Sequence, residues 1–282
     1  MTTLIEDMEN RYAELTESQK KVAQFIIHHY EQVVFYTLDD LAAEIGVSTT
    51  TVIRFARSLG YSGYSDLLSH IQQIVKMKMN LPERLDQFNS NIAPDSLLNQ
   101  TFQQDIENIT LTRNALSPDK LNLFSQELIE AKTIYILGLR SSFSVAFYCA
   151  AVFGQIRENV RLIRSEGDLA PEEVISAKSG DVCLVFSFSR YTQRTIDIAN
   201  WMHKQGVKIL AVSDQALSPI ANVSDLTLTC EVKGLAFKNS LVAPLCLVNY
   251  FVAAIVSSDK NKAKQVLSRN DDLLRTGRYF SI

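Results

Sequence analysis

The stretch VSTTTVIRFARSLGYSGY, Val47 to Tyr64, decides the fold of the N-terminal third. Ser48 is a good helix cap, because a serine hydroxyl accepts from a first-turn N–H that the helix itself leaves unsatisfied. On the wheel of the helix it opens, Val52, Phe55, Ala56 and Leu59 face inward, whereas Thr50, Arg54 and Arg57 project from the other side. The outer face is short, polar and cationic. Threonine suits a phosphate or a thymine methyl, and arginine grips guanine through paired hydrogen bonds. A tight turn bearing Tyr61 and Tyr64 closes the stretch.

Working back toward the N-terminus, Leu38, Leu41, Ala42 and Ile45 recur at the spacing of one buried helical face. Thr37 caps that helix, Asp39 and Asp40 favour its positive end, and Gly46 stops it where a left-handed backbone costs least. An earlier helix opens at Thr16, with Gln19 placed as in a capping box, and buries Val22, Phe25 and Ile26. A solvated helical hairpin would tolerate the same polar face. The glycine turn between two short helices instead favours a helix-turn-helix whose second helix reads double-stranded DNA. The predicted interface is Ser48, Thr49, Thr50, Thr51, Arg54, Arg57, Tyr61 and Tyr64.

The net charge of −3 provides no general pull toward nucleic acid or an anionic membrane, so DNA contact must come from a few well-placed cations. Carboxylates in residues 1–45 weaken it further, and two copies on adjacent half-sites are expected. At 282 residues, with 46% hydrophobic and 21% charged residues, the chain has room for two ordinary globular domains. Cys149, Cys183, Cys230 and Cys246 lie far apart in apolar runs without metal or redox spacing; they read as reduced core residues of a cytoplasmic protein. No metal or cofactor is expected. MTTLIEDMEN is acidic and lacks a signal-peptide core, and the apolar run Leu241 to Val256 is short and contains Pro244 and Asn249, so it reads as a buried helix rather than a membrane span.

These features predict a helix-turn-helix domain over 1–78, a linker over 79–95 and a second domain over 96–282. The linker reading rests on Pro82, Pro94 and the cluster Asn89-Ser90-Asn91. Beyond it, Leu98, Phe102, Ile106 and Ile109 fit one helix, and Ser117-Pro118-Asp119 starts another. From Thr133 the pattern alternates between short apolar runs and amphipathic segments. Strands are predicted at Thr133–Leu137, Val160–Ile163, Val182–Phe186, Lys208–Val212 and Leu226–Thr229. Helices are predicted near Phe143–Arg157, Glu172–Ala177, Gln193–Lys204 and Ser240–Val256. Such alternation makes a parallel sheet covered on both faces, with ligands bound outside the carboxyl ends of the strands. Two predicted strand ends are rich in hydroxyls: Gly138-Leu139-Arg140-Ser141-Ser142 and Ser187-Phe188-Ser189-Arg190-Tyr191-Thr192. Each precedes a helix, whose N–H groups favour an anion.

The chain resembles the RpiR-type transcriptional regulators. The likeness runs over Leu15 to Leu68, notably VSTTTVIRFARSLGYSGYSDL, and over roughly Leu121 to Lys264, notably the two serine strand ends and DQALSPIANVSDLTL. The resemblance implies an all-α helix-turn-helix domain joined to a sugar isomerase (SIS) domain, an αβα sandwich with a five-stranded parallel sheet. It also implies association through the SIS domains as a homodimer or dimer of dimers, and DNA affinity tuned by a phosphorylated sugar or related small anionic metabolite. Its ligand positions fall on Ser142, Ser187, Ser189 and Thr192.

Arg140 and Arg190 depart from the family pattern, each replacing a loop glycine. Two consequences stand open. Arg140 and Arg190, with Ser141 beside them, grip a more anionic ligand; alternatively, the arginines fill the old pocket or merely form salt bridges, and the effector has changed or vanished. A sugar-phosphate isomerase with an appended domain is the rival function. It needs a proton-moving base, and His203 is the one histidine in the SIS-like part, with Glu166, Glu172 and Glu231 as remaining candidates. Dinucleotide binding at Gly138 fits poorly, because GLRSSF lacks the required glycine spacing.

Overall fold

A computed structural model describes residues 4, 8, 11–34, 36–78, 81–86, 88, 93–166, 170–216, 218–277 and 279. The Asn89-Ser90-Asn91 cluster of the expected linker lies outside them. The chain divides into two compact units, Met1–Glu83 and Arg84–Ile282.

The first unit is helical: α1 (Glu17–Val33), α2 (Leu38–Ile45), α3 (Thr49–Ser58) and α4 (Tyr64–Lys78). Reciprocal capping starts α1, where the Thr16 hydroxyl accepts from the Gln19 N–H and the Gln19 side chain accepts from the Thr16 N–H. The same device starts α2, with Asp40 in the glutamine's place; its hydrogen bonds from Thr37 hold the Asp40 carboxyl below the usual carboxylate range. Gly46 ends α2 at φ 73°, and the Val47 N–H reaches back to the Ala42 carbonyl at 2.9 Å. Gly60, at φ 94°, closes α3 in the same way. Val22, Ile26, Leu41, Val52, Phe55, Leu67 and Ile71 interlock as the core of this unit.

The second unit is built on a five-stranded sheet of order β2-β1-β3-β4-β5, every pairing parallel. The strands are β1 (Ile134–Leu137), β2 (Val160–Ile163), β3 (Val182–Ser187), β4 (Lys208–Ser213) and β5 (Leu226–Thr229), within one residue of expectation at every end. Side chains alternate between the faces. Ile134 and Ile136 join Phe124, Phe153, Phe186 and Phe251 on one side; Tyr135 and Leu137 join Val185, Met202 and Ile209 on the other.

The helices of this unit are α5 (Leu81–Asp86, straddling the division), α6 (Pro94–Ala115), α7 (Pro118–Glu130), α8 (Phe143–Ile156), α9 (Ala170–Val174), α10 (Gln193–Lys204), α11 (Val242–Ser258) and α12 (Lys260–Thr276). Helices α7, α8 and α11 cover the first face, and α9 and α10 cover the second. The stretch expected as a linker therefore contains a short helix, α5.

One expectation needs correction. Cys246 is exposed, unlike the buried Cys149, Cys183 and Cys230. It lies on α11, which is apolar around most of its circumference, so periodicity does not separate its inner from its outer face. On α6, Leu98, Phe102 and Ile106 are 59%, 64% and 54% exposed, while the polar Asn108 and Thr112 are buried. The buried pair serves hydrogen bonding: Asn108 donates to the Lys233 carbonyl at 2.8 Å, and the Thr112 hydroxyl accepts the Glu231 N–H at 2.9 Å. Among the described residues no single helix is long and apolar enough to cross a membrane.

Candidate functional site

On α3, Thr50, Arg54 and Arg57 are exposed and follow one another at helical spacing along a single outward ridge. Directly opposite, Val52, Phe55 and Ala56 are fully buried. Ser48 caps the helix through the Thr51 N–H at 3.2 Å, and its hydroxyl also meets that of Thr51 at 2.9 Å. Thr49 and Thr51 are half-buried. The Arg57 Nε donates to the Ser62 carbonyl at 3.3 Å, and Arg11 donates to the Ser58 carbonyl at 2.9 Å. Together these bonds fix the end of α3 and the turn after it.

Tyr61 is half-buried and braces that turn against His70, its hydroxyl 3.1 Å from the imidazole Nδ1. Tyr64 is a correction. It is 5% exposed and its hydroxyl donates to the Tyr36 carbonyl at 2.8 Å, which makes it a core residue rather than an outward-facing contact. Burial, then the negative charge of Asp40, pushes its phenol up to about 12.

In the second unit, β1 lies between β2 and β3, so chain connections leave it in opposite directions and a crevice opens between the ends of β1 and β3. The register pairs Leu137 with Val185, which sets Gly138–Ser142 beside Ser187–Thr192. At Gly138 a Cβ would stand 2.7 Å from the Ser142 carbonyl oxygen and 3.0 Å from the Ala146 Cβ, so only glycine lets the first loop fold back onto α8. Ser142 and Ser187 are buried, Thr192 is half-buried, and Ser141 is exposed. Ser142 and Thr192 begin α8 and α10, and neither spends its hydroxyl on capping its own helix. The positive ends of two helices thus meet the mouth of the crevice.

Arg140 and Arg190 take φ values of 56° and 70°, the left-handed backbone that glycine adopts without strain. The loops keep a glycine-like path and carry a guanidinium in addition. Both arginines are exposed, and among the described residues neither forms a salt bridge. Arg190→Gly is expected to relieve about 1–2 kcal/mol of backbone strain, against about 0.4–1 kcal/mol of added unfolded-chain entropy. The midpoint of thermal unfolding should therefore rise by roughly 1–3 °C; a fall of that size would mean that the guanidinium makes stabilising contacts.

Three participants lie outside the expected site residues. Asp214, just past β4, accepts from the Ser189 N–H at 3.1 Å, from the Ser189 hydroxyl, and from the Tyr191 hydroxyl at 2.8 Å. Ser189, expected to face a ligand, is instead bound to this internal carboxylate. Burial and then the Asp214 charge drive the Tyr191 phenol upward, so it stays a proton donor. Ser213 ties the strands together below, donating to the Ser187 carbonyl at 2.7 Å. Asn239 is the third; its amide reaches the Ser189 carbonyl at 3.5 Å. The pairing of Ser187 with Ser213 was the available clue, since parallel neighbours β3 and β4 put their following residues side by side.

The rival base residues are His203, Glu166, Glu172 and Glu231. His203 faces Asp225 at 3.6 Å at the end of α10, where β5 begins. Glu166, Glu172 and Glu231 are exposed.

A helix-turn-helix with an outward polar ridge, joined to a five-stranded α/β unit with a hydroxyl-lined switch-point crevice, defines the class: a DNA reader coupled to an SIS domain. The comparisons agree in both halves. Residues 2–78 match the helix-turn-helix domain of the rpiR family, and residues 127–254 match the SIS domain. The chain belongs to the RpiR family of transcriptional regulators. It is 28% identical over 230 residues to the HTH-type transcriptional regulator HexR of Pseudomonas aeruginosa, covering 81% of this chain and 79% of that one. The NanR protein of Vibrio vulnificus, solved in complex with ManNAc-6P, superposes with a TM-score of 0.59 at 20% identity, over 97% of this chain and 98% of that one. The sugar isomerase domain of an RpiR transcription factor from Sphaerobacter thermophilus gives 0.60 at 24% identity, over 63% of this chain and 99% of that one.

Proposed function

We propose that the chain binds a DNA operator as a homodimer or dimer of dimers, and that a phosphorylated sugar or related sugar acid in the switch-point crevice sets its affinity. DNA is read by the ridge of Thr50, Arg54 and Arg57, with Ser48, Thr49, Thr51 and Tyr61 positioning α3 against the backbone. The effector is held by Ser142, Ser187 and Thr192, with Arg140, Ser141 and Arg190 at the rim. Asp214 keeps Ser189 and the rest of the second loop in shape.

One observation carries the effector reading: two arginines hold a strained left-handed backbone beside two helix starts that lack a side-chain cap. Strain retained where a ligand would sit is commonly functional. The exposed Leu98, Phe102 and Ile106 stripe supports self-association, because a monomer gains nothing from leaving it in water. Ligand acts by population shift, favouring one arrangement of paired subunits and so one spacing of recognition helices, which must match DNA half-sites.

Calorimetry against glucose 6-phosphate, 6-phosphogluconate and gluconate tests this reading. Saturable binding of at least one phosphorylated compound, weakened by Ser187→Ala, is expected. Failure of every sugar phosphate and sugar acid to bind would refute it.

A further inference from the structure

Arg84 is the first residue of the second unit and follows Glu83, the last residue of the DNA-reading unit. It lies on α5, in sequence far from the strand ends. Yet its Nη1 donates to the Asn239 side-chain oxygen at 3.3 Å, and the Asn239 amide donates to the Ser189 carbonyl at 3.5 Å. This chain of hydrogen bonds places a half-buried guanidinium against the second serine loop. The electrostatics agree with the geometry. Burial lowers the Arg84 pKa, the positive charge of Arg190 lowers it further, and Asp214 raises it. Arg84 thus lies within electrostatic reach of both Arg190 and Asp214, and that carboxylate already accepts from Ser189 and Tyr191. Like charges gathered at one rim are relieved by an added anion.

We propose that Arg84 binds the anionic group of the effector together with Arg190, and so ties the segment leaving the DNA reader to the effector crevice. This rests on the effector site described above. A guanidinium suits the task because its planar fork engages a phosphate monoester or carboxylate through two hydrogen bonds. The regulatory consequence follows from chain connectivity. An anion held between Arg84 and Arg190 restrains the residue next to the DNA-reading unit, and its departure releases that restraint. The signal then passes along the backbone and requires no contact between the units.

The test compares full-length wild type with Arg84→Gln, Arg84→Lys and Asn239→Ala, each confirmed folded by circular dichroism. Glucose 6-phosphate, 6-phosphogluconate and inorganic phosphate serve as calorimetric probes. For the tightest probe, Arg84→Gln should raise Kd roughly tenfold or more, the scale of a lost charge-assisted hydrogen bond. Arg84→Lys should recover part of that loss, and Asn239→Ala, which keeps the cation, should lose less. Bound probe should also slow trypsin cleavage after Arg84 in the wild type. Unchanged affinity in Arg84→Gln, or equal losses in Arg84→Gln and Asn239→Ala, would overturn the role of Arg84 while leaving the effector site standing. Absence of probe binding by the wild type would remove the effector site and this proposal together.

Discussion

Arg54→Ala is expected to weaken specific operator binding sharply while leaving the fold intact. Arg54 is exposed at the centre of the α3 ridge, four residues after Thr50 and three before Arg57. A bidentate arginine–guanine contact discriminates by about 1–3 kcal/mol. A symmetric dimer loses it twice, so the operator Kd should rise on the order of 10²-fold or more. Affinity for unrelated DNA should fall far less, because nonspecific binding comes from phosphate contacts. Equal losses on operator and random DNA would make Arg54 a phosphate contact rather than a base reader.

Phe55→Ala, one residue along, should produce the opposite phenotype. Phe55 is fully buried among the helices of the first unit, and its loss leaves a cavity worth about 3–5 kcal/mol. That is a large share of the total stability of a small domain, typically about 5–15 kcal/mol. Hydrogen exchange should accelerate throughout α1 to α4, whereas the amides of β1 to β5 should exchange as before. Uniform loss of protection in both units would show that they fold as one cooperative body; unchanged protection of α3 would contradict the packing of Phe55. The contrast between neighbours 54 and 55 isolates what the helix reads from what holds it.

The strands and the recognition helix were legible because their signals are local. Strict caps at Thr16, Thr37 and Ser48 and a single glycine turn mark the helices, and apolar runs of strand length mark the sheet. The helix α4 was also within reach, since Tyr64, Leu67 and Ile71 recur on one face and are buried. By contrast, α12 carries Ala263, Val266, Leu267, Leu273 and Leu274 at helical spacing, but only Ala263 is buried among its residues, so the stripe marks a helix that adds little to the core. The two serine loops could be named from their composition, but not the partners that shape them. Asp214 and Asn239 reach Ser189, and Arg84 reaches Asn239, from segments remote in the chain that only the tertiary fold brings together. Tyr64 failed as an interface residue for a related reason: its partner, the Tyr36 carbonyl, lies 28 positions away. The burial of Asn108 and Thr112 on α6 ran against hydrophobic patterning because that face is stabilised by hydrogen bonds to the Lys233 and Glu231 backbone.

The most direct measurement is fluorescence anisotropy of the full-length protein on the DNA that it selects from a random pool, repeated with increasing glucose 6-phosphate or 6-phosphogluconate. A paired-half-site sequence whose Kd moves in one direction with at least one of these compounds, and stops moving in Ser187→Ala, is the predicted result. Selection of no preferred sequence, or an operator affinity indifferent to every sugar phosphate and sugar acid, would contradict the coupling of a DNA-reading ridge to an anion-binding crevice.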